Sequence, residues 1–315
     1  MATGPSAPLL TIAVPFYKNV EYYSRAVESV FSQAASSWVV LLVDNSLDDR
    51  DHGSIETLAA RYPPDRLRHF RNEKHLNACE NFNRCIDLAE TDLVSIVHGD
   101  DEVLPRYADD LLSLAARHPE AAMLFLAARI IGPTSQPCFS FVDWFKLFLM
   151  PRGDGDFVLS GEASLCSIVR GNWINGGTLC YRKSRLGEMR WDPRYQMTAD
   201  LDLFSRVILA EKVMAGTRRP PSYSYRRHLA QTTAELSATL YRFREESLML
   251  DIIADRASRR GWSSAAKAAR KKAILQLHLS CYLLSDAARF SLQSAREKLR
   301  LLREIRATTL TARDP

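Results

Sequence analysis

Short apolar runs alternate with helical patterns through the first third of the chain. The runs are four to eight residues long and rich in Val, Ile and Leu, as in strands buried on both faces. Strands alternating with helices of this length predict an α/β fold, a mostly parallel sheet flanked by helices. The predicted order is strand 9–14, helix 20–33, strand 38–43, helix 54–61, strand 66–70, helix 76–89 and strand 93–97.

The segment between Pro137 and Pro151 predicts an amphipathic helix with an aromatic face. Two interpretations of this face remain open: it is part of the core, or the helix is a mobile lid or a wall of an acceptor site. The apolar side chains recur at i, i+3, i+4, i+7 and i+8, and they are Phe141, Trp144, Phe145, Phe148 and Leu149.

From about residue 235 the pattern changes to long helices, predicted over 263–285 and 287–307. We therefore expect two domains, 1–234 with the sheet and 235–315 as a helical extension. Residues 255–306 carry thirteen Lys and Arg against four Asp and Glu, a net charge of +9 in a chain whose total is +5. This basic segment predicts self-association or contact with anionic lipid, or simply a helical cap with a solvated face.

Composition narrows the class of protein. The chain has 315 residues, 46% apolar and 25% charged, which is typical of a globular protein. It has no apolar run long enough to cross a bilayer and no secretory signal pattern at its start. Six scattered cysteines without a C-x-x-C pair favour reduced thiols, so we expect a cytoplasmic protein. The positive charge is confined to the tail, so we expect no nucleic-acid partner.

Two acidic clusters follow predicted strands, at the sheet edge where ligands bind in such folds. Asp44 ends one strand, either as a turn residue or as part of a nucleoside pocket. His98-Gly-Asp-Asp101 follows another. Adjacent carboxylates repel each other, and Mg²⁺ or Mn²⁺ would compensate for that repulsion. The alternative is that Asp101 caps the next helix and Asp100 is solvated.

A further pair of carboxylates, Asp200 and Asp202, lies at the start of a predicted helix. Residues two apart lie about 200° apart around a helix, so only one of them can face a cleft. Asp202 has Arg206 one turn later, which favours a structural ion pair and leaves Asp200 as a candidate general base. The alternative is that both carboxylates only complement the helix dipole. His228 lies after the Pro-Pro break, as a structural residue or in a loop over the cleft.

The motifs, taken in order, resemble those of family 2 glycosyltransferases, which have the GT-A fold. The resemblance covers about residues 9–233, and its order and spacing are more specific than any single motif. The matching segments are Thr11-Ile-Ala-Val-Pro-Phe-Tyr-Lys-Asn19, Val39-Val-Leu-Leu-Val-Asp-Asn-Ser46, His98-Gly-Asp-Asp-Glu-Val-Leu-Pro105, Gly177-Thr-Leu-Cys-Tyr-Arg182, Ala199-Asp-Leu-Asp202 and Tyr225-Arg-Arg-His228.

The resemblance implies roles for individual residues. Asp200 would be the catalytic base. The donor site would include Pro15, Tyr17, Asp44, Asn45 and Asp100. A Mg²⁺ or Mn²⁺ ion would be held by Asp100, Asp101 and His228. Trp173, Asp202 and Arg206 would support the acceptor side. His98 stands in place of the first carboxylate of the family's D-x-D motif, and Ala199 in place of the glutamate of its E-D motif.

The resemblance also implies a function: inverting, metal-dependent transfer of a sugar from a nucleotide-diphosphate sugar to a hydroxyl of a glycan, glycolipid or lipid-linked acceptor in polysaccharide assembly. The setting would be the cytoplasmic side of a membrane, with peripheral contact and a homodimer as further expectations. Two rivals remain: a nucleotidyltransferase that makes the sugar nucleotide, and a non-catalytic nucleotide-sugar-binding or scaffold protein. The nucleotidyltransferase would need a Gly-rich loop after the first strand, where Pro15-Phe-Tyr-Lys18 stands.

Overall fold

The computed structural model describes residues 7–34, 36–228 and 240–311, with side chains to residue 307. An eight-stranded mixed sheet forms its centre, in the order β3-β2-β1-β4-β9-β6-β10-β8, and β5-β11-β7 form a second, smaller sheet. The strands are β1 (Leu10–Pro15), β2 (Trp38–Asp44), β3 (Leu67–Arg71), β4 (Leu93–Ile96), β5 (Glu102–Val103), β6 (Ala121–Phe125), β7 (Ala128–Ile131), β8 (Asp156–Leu159), β9 (Leu179–Arg182), β10 (Val213–Thr217) and β11 (Tyr223–Arg226).

Twelve helices surround the sheets in the described residues, besides a 3₁₀ turn at Gly176–Thr178. They are α1 (Val20–Phe31), α2 (Asp49–Ala59), α3 (Ala78–Leu88), α4 (Tyr107–Arg117), α5 (Phe141–Leu149), α6 (Gly161–Arg170), the single turn α7 (Lys183–Leu186), α8 (Ala199–Leu209), α9 (Tyr241–Arg259), α10 (Ser263–Lys271), α11 (Ala273–Ala288) and α12 (Leu292–Thr311). None of the helices in these described ranges is both long and apolar enough to cross a bilayer.

The sheet places the ends of three strands together. β1 lies between β2 and β4, parallel to both, and Leu10 is opposite Trp38 on one side and Leu93 on the other. Parallel pairing brings the carboxyl ends of these strands to one edge of the sheet. Pro15, Asp44 and the turn after β4 lie side by side there. The α/β fold predicted from the sequence is confirmed.

Apolar side chains cover both faces of the sheet, because successive strand residues point in opposite directions. One core contains Ile12 of β1 together with residues of α1, α2 and α4. The other contains Ala13 together with residues of α3, α6, α8 and α9. Helix α9 therefore shares a core with the sheet. The predicted domain boundary at 234/235 lies in the stretch 229–239, outside the described residues, and stays a prediction.

Several predicted helices have different bounds in the structure. The helix predicted over 287–307 is α12, which spans Leu292–Thr311. Helix α2 begins at Asp49 instead of residue 54, because the side chain of Asp48 accepts a hydrogen bond from Asp51 N at 2.8 Å and caps it there. The single helix predicted over 263–285 is wrong. It breaks at Lys272, whose φ of 49° lies in the left-handed region and whose buried ammonium pairs with Asp251 at 2.7 Å.

The aromatic helix predicted between Pro137 and Pro151 is α5, and it does not bury its apolar face. Phe141, Trp144 and Phe148 are exposed and Phe145 and Leu149 are only partly buried, so the interpretation of the whole face as core is wrong. Asp143 points inward instead and forms a bidentate ion pair with Arg227, at 2.7 and 2.9 Å. The helix is therefore held to the protein by Asp143 and, at its end, by the partly buried Leu149.

Candidate active site

Asp44 ends β2 with a fully buried side chain. Its Oδ1 accepts a hydrogen bond from Ser46 N at 2.8 Å, and its Oδ2 lies 2.5 Å from His52 Nδ1 and 3.7 Å from His69 Nε2. Burial alone would raise the pKa of Asp44, but the two imidazoles and the Ser46 amide outweigh it and hold the pKa below the ordinary carboxyl range. A buried anion thus lies at the end of the strand.

The other residues predicted for the donor site differ in accessibility. Pro15 is buried in β1, whereas the Tyr17 ring is exposed beside His75, with 5.8 Å between ring centroids. Asn45 is almost fully buried, and its side chain exchanges hydrogen bonds with the backbone of Leu76 at 2.9 Å in both directions. Asn45 therefore fixes the loop after β2 through its side chain.

The turn after β4 leaves little room for a side chain at position 99, which is a glycine. A Cβ on Gly99 would lie 3.0 Å from both the carbonyl oxygen of Pro15 and Cδ2 of Tyr23, which is closer than ordinary contact. The turn can therefore pack directly against the end of β1. This close approach brings Asp100 and Asp101 to the edge where β1 and β2 end.

Asp101 is fully buried in this turn, and both of its carboxylate oxygens accept hydrogen bonds. Tyr223 OH donates to Oδ2 at 2.6 Å, and Arg226 N donates to Oδ1 at 2.7 Å. Burial and the neighbouring charge of Asp100 raise the pKa of Asp101 well above its ordinary value. The geometry makes Asp101 the residue that ties the β4 turn to β11.

Asp100 has a partly exposed side chain, and its Oδ2 lies 3.0 Å from Nε2 of His228. Burial alone would raise the pKa of Asp100, but the nearby imidazoles of His228 and His98 lower it, so the carboxylate is ionised. Cis ligands of an octahedral ion about 2.1 Å away lie about 3 Å apart, so these two atoms suit one divalent cation. His98, Asp100 and Asp101 also form a group compact enough to hold an ion.

Asp200 lies in the first turn of α8. Its Oδ2 accepts a hydrogen bond from Asn172 Nδ2 at 2.7 Å, and its Oδ1 accepts one from Leu201 N at 2.7 Å. Burial raises the pKa of Asp200, while Leu201 N, the nearby charge of Lys146 and Asn172 oppose the rise. A carboxylate whose pKa lies above its ordinary value is a better proton acceptor than an unperturbed one.

Asp202 is fully buried on the other side of α8. The predicted pair with Arg206 is present at 2.7 Å, and Arg256 of α9 adds a second ion pair at 2.8 Å. Glu245 of α9 accepts hydrogen bonds from the backbone N–H groups of Met197 and Thr198, at 2.7 and 2.8 Å. Because these amides precede α8, α9 fixes the start of the helix that carries Asp200.

Trp173, expected as an acceptor-site or supporting residue, is buried and does not contact the cleft directly. Its side chain is 3% exposed and packs in the core between Phe125 and Phe157, with ring centroids 5.8 Å away in each case. Its indole N–H donates to Ser167 Oγ at 3.2 Å. Trp173 is therefore a packing residue beside Asn172.

Sequence analysis missed several residues that define the site. Arg226 is fully buried and donates from Nε to the carbonyl oxygen of Asp100 at 2.7 Å, whereas the sequence near the acidic turn offers no cation before Arg106. Asn172 and Lys146 were missed as neighbours of Asp200. The Tyr225-Arg-Arg-His228 segment was the available signal for Arg226, but only the pairing of β11 with β5 and β7 gives it a place.

A family model and the sequences of similar proteins were both compared with this chain, and both support a glycosyltransferase. The family model described as Glycosyl transferase family 2 matches residues 11–140. The uncharacterized protein MT1568 of Mycobacterium tuberculosis (strain CDC 1551 / Oshkosh) is 30% identical over 249 residues, 76% of this chain and 73% of MT1568. WcaA of Escherichia coli K12, provisionally described as a colanic acid biosynthesis glycosyl transferase, is 28% identical over 98 residues, 31% of this chain and 34% of WcaA.

Solved structures show the same fold at low sequence identity. TarS 1–349 of S. aureus in complex with UDP-GlcNAc has a TM-score of 0.59 at 13% identity, over 94% of this chain and 91% of that one. The mannosyltransferase PcManGT from Pyrobaculum calidifontis, in complex with GDP-Man and Mn²⁺, has a TM-score of 0.58 at 14% identity, over 97% and 84%.

The sheet and the acidic edge together define an enzyme of the GT-A class, a glycosyltransferase. Within that class, the chain belongs to glycosyltransferase family 2.

Proposed function

We propose that this enzyme is an inverting, metal-dependent glycosyltransferase that moves a sugar from a nucleotide-diphosphate sugar to a hydroxyl of a glycan, glycolipid or lipid-linked acceptor. The observation that carries the proposal is the division of labour within two acidic pairs. Asp101 and Asp202 are fully buried among their partners, whereas Asp100 and Asp200 are partly exposed at the edge of the proposed cleft. A reaction that needs one metal ligand and one base would use Asp100 and Asp200.

The donor lies, in this proposal, across the ends of β1, β2 and β4. Asp44 is assigned to this site as the buried anion at the end of β2: its carboxylate holds Ser46 N and His52, and so fixes the surface on which the nucleobase or ribose would lie. The exposed ring of Tyr17 offers a flat surface for the nucleoside. Complexes of relatives with UDP-GlcNAc and with GDP-Man support this class of donor.

Asp100 and His228 are the residues that would hold Mg²⁺ or Mn²⁺. Asp101, whose oxygens are both occupied by hydrogen bonds, shapes the turn that presents Asp100. The ion would supply charge neutralisation at the diphosphate leaving group. The Mn²⁺ complex of PcManGT supports this choice of cofactor.

Asp200 accepts the proton of the acceptor hydroxyl as its oxygen attacks the anomeric carbon. The bond from that carbon to the diphosphate breaks on the opposite side, so the anomeric centre inverts. Asn172 holds one carboxylate oxygen of Asp200 in place, and the charge of nearby Lys146 favours the ionised form. We place the reaction in polysaccharide assembly at the cytoplasmic face of a membrane, which the provisional description of WcaA supports in part.

The test is turnover of the wild-type enzyme with UDP-, GDP- and TDP-sugars, with Mn²⁺ and in excess EDTA. We expect release of nucleoside diphosphate with one class of base, lost in EDTA and restored by surplus Mn²⁺. Full activity in EDTA would contradict the metal assignment. Formation of a nucleotide sugar from a nucleoside triphosphate and a sugar phosphate would favour a nucleotidyltransferase, and binding without turnover would favour a scaffold.

A further inference from the structure

Helix α5 is oriented opposite to an ordinary surface helix, with its polar residues inward and its aromatic residues outward. Asp143 reaches Arg227, next to His228, through two hydrogen bonds. Lys146 is also turned inward, where burial lowers its pKa and the charges of Asp143 and Asp200 oppose that shift. The inner face of α5 therefore borders the proposed active site.

The outer face of α5 is a patch of large apolar side chains. Phe141 is 65% exposed, Trp144 44% and Phe148 66%, and the Trp144 ring contacts both phenylalanines, with centroids 5.7 and 4.7 Å away. Val142 and Leu147 are about half exposed, and Phe139 extends the patch just before the helix. Soluble surfaces rarely carry a contiguous patch of this composition without a partner.

The patch adjoins a second apolar helix. Leu149, at the end of α5, and Ile274, at the start of α11, both lie over Gly171, where a Cβ would be 2.7 Å from Leu149 Cδ1 and 3.5 Å from Ile274 Cγ1. Helix α11 buries only Leu275 and Leu279, although it is apolar around most of its circumference. Leu277 and Leu284 remain exposed on it.

The hairpin formed by α11 and α12 also carries basic side chains. Lys272 and Lys298 are buried in ion pairs, but most cations of the hairpin formed by α11 and α12 are exposed. The exposed ones are Arg289, Arg296, Arg300, Arg303 and Arg306. Exposed Trp and Phe next to Arg are the composition that binds at the headgroup level of a bilayer, and the positive charge is complementary to anionic lipid.

We propose that the outer face of α5, together with the adjoining α11–α12 hairpin, docks the enzyme on an anionic bilayer. Trp144 and the phenylalanines enter the interface, and the arginines contact headgroup phosphates. Through Asp143 and Arg227 the docked helix is connected to the segment that carries His228, so the active site opens near the lipid surface. This docking does not depend on the proposed sugar-transfer chemistry.

The test is flotation of the full chain with vesicles of phosphatidylcholine alone and of phosphatidylcholine with phosphatidylglycerol. We expect binding to the anionic vesicles that weakens at high salt. The triple variant Phe141→Ser, Trp144→Ser, Phe148→Ser should lower the partition coefficient by roughly tenfold or more, because it removes the three aromatic side chains that insert into the bilayer. Phe70→Ser, an exposed Phe on β3 at the opposite edge of the sheet from β8, is the matched control and should bind like the wild type.

A second measurement works without a disruptive variant. Three of the five tryptophans, Trp38, Trp173 and Trp191, are buried; Trp262 is partly buried and packs against the core, whereas Trp144 is exposed on the proposed docking face. Brominated anionic lipids should therefore quench the wild-type fluorescence, and Trp144→Phe should lose most of that quenching while still floating. The proposal is wrong if the wild type does not bind anionic vesicles, if the triple variant binds unchanged, or if Trp144 is not quenched. It is equally wrong if the patch is covered by a second copy, so that the triple variant converts a lipid-free dimer into a monomer.

Discussion

The β4 turn and the first turn of α8 each carry a pair of carboxylates, and the two pairs are built alike. One member of each is fully buried and held by two partners: Asp101 by Tyr223 OH and Arg226 N, and Asp202 by Arg206 and Arg256. The other member is partly exposed: Asp100 has His228 as its side-chain partner, and Asp200 accepts hydrogen bonds from Asn172 Nδ2 and from its neighbour Leu201 N. In each region one carboxylate holds the local structure in place, and we propose that the other takes part in the reaction.

The two exposed carboxylates differ in how their surroundings affect their charge. Imidazoles lower the pKa of Asp100, against the effect of burial, and this suits a residue that stays ionised and binds a cation. Burial raises the pKa of Asp200, and this suits a residue that takes up a proton. Position after a strand or at the start of a helix therefore does not determine what a carboxylate does. The groups that surround the carboxylate determine it.

The largest effect is expected for Asp100→Ala. Loss of the metal ligand should lower turnover by roughly a thousandfold or more, because charge neutralisation at the leaving group is worth several kcal/mol. The melting temperature should stay near that of the wild type, since the side chain is partly exposed. Steady-state kinetics with Mn²⁺ measure the first and calorimetry the second. Asp109→Ala, an exposed carboxylate on α4, is the control; equal activity of the two variants would show that Asp100 holds no essential ion.

Asp202→Asn should act on stability. Removing the shared anion leaves the two arginines without their partner, which for buried pairs costs about 3 kcal/mol and lowers the melting temperature by roughly 6 °C. Asp192→Asn breaks a pair with the exposed Arg194 instead, and surface pairs are worth about 1 kcal/mol or less. Thermal unfolding of both variants checks this difference. Equal losses would mean that Asp202 does not anchor α8.

The smallest effect is expected for Asn172→Ala. The amide stabilises the ionised form of Asp200, so its loss should raise the pKa of Asp200 further. A base must be ionised to act, and activity falls as the pH drops through its pKa. The acid limb of the pH profile of kcat/KM should therefore move to higher pH, with roughly a tenfold loss or less on its plateau. If the acid limb does not move, Asn172 does not influence the ionisation of the catalytic base.

Three strands of the first half, β1, β2 and β4, could be predicted from sequence because each is a mainly apolar run. β1, β2 and β4 lie within about two residues of their predicted bounds. β9, β10 and β11 have at most five residues each and include Arg182, Gly216 and Arg226, so their strand character comes from pairing rather than from local pattern.

The site was predicted unevenly for the same reason. The pair between Asp202 and Arg206 follows from helix geometry and is present. Arg226 and Asn172 contact residues more than a hundred and about thirty positions away, respectively, and no local spacing reveals such contacts. The outward face of α5 was misjudged because periodicity identifies an apolar face but not whether the protein itself covers it.

The central claim, that Asp200 is the general base of an inverting transfer, is tested most directly by the single-turnover rate of Asp200→Asn with saturating donor and Mn²⁺. The substitution keeps the shape and removes the proton acceptor. The account predicts a rate lower by about 10²–10⁴-fold, with donor binding nearly unchanged and an inverted anomeric centre in the wild-type product by NMR. A rate within about threefold of the wild type, or a product with retained configuration, would contradict it.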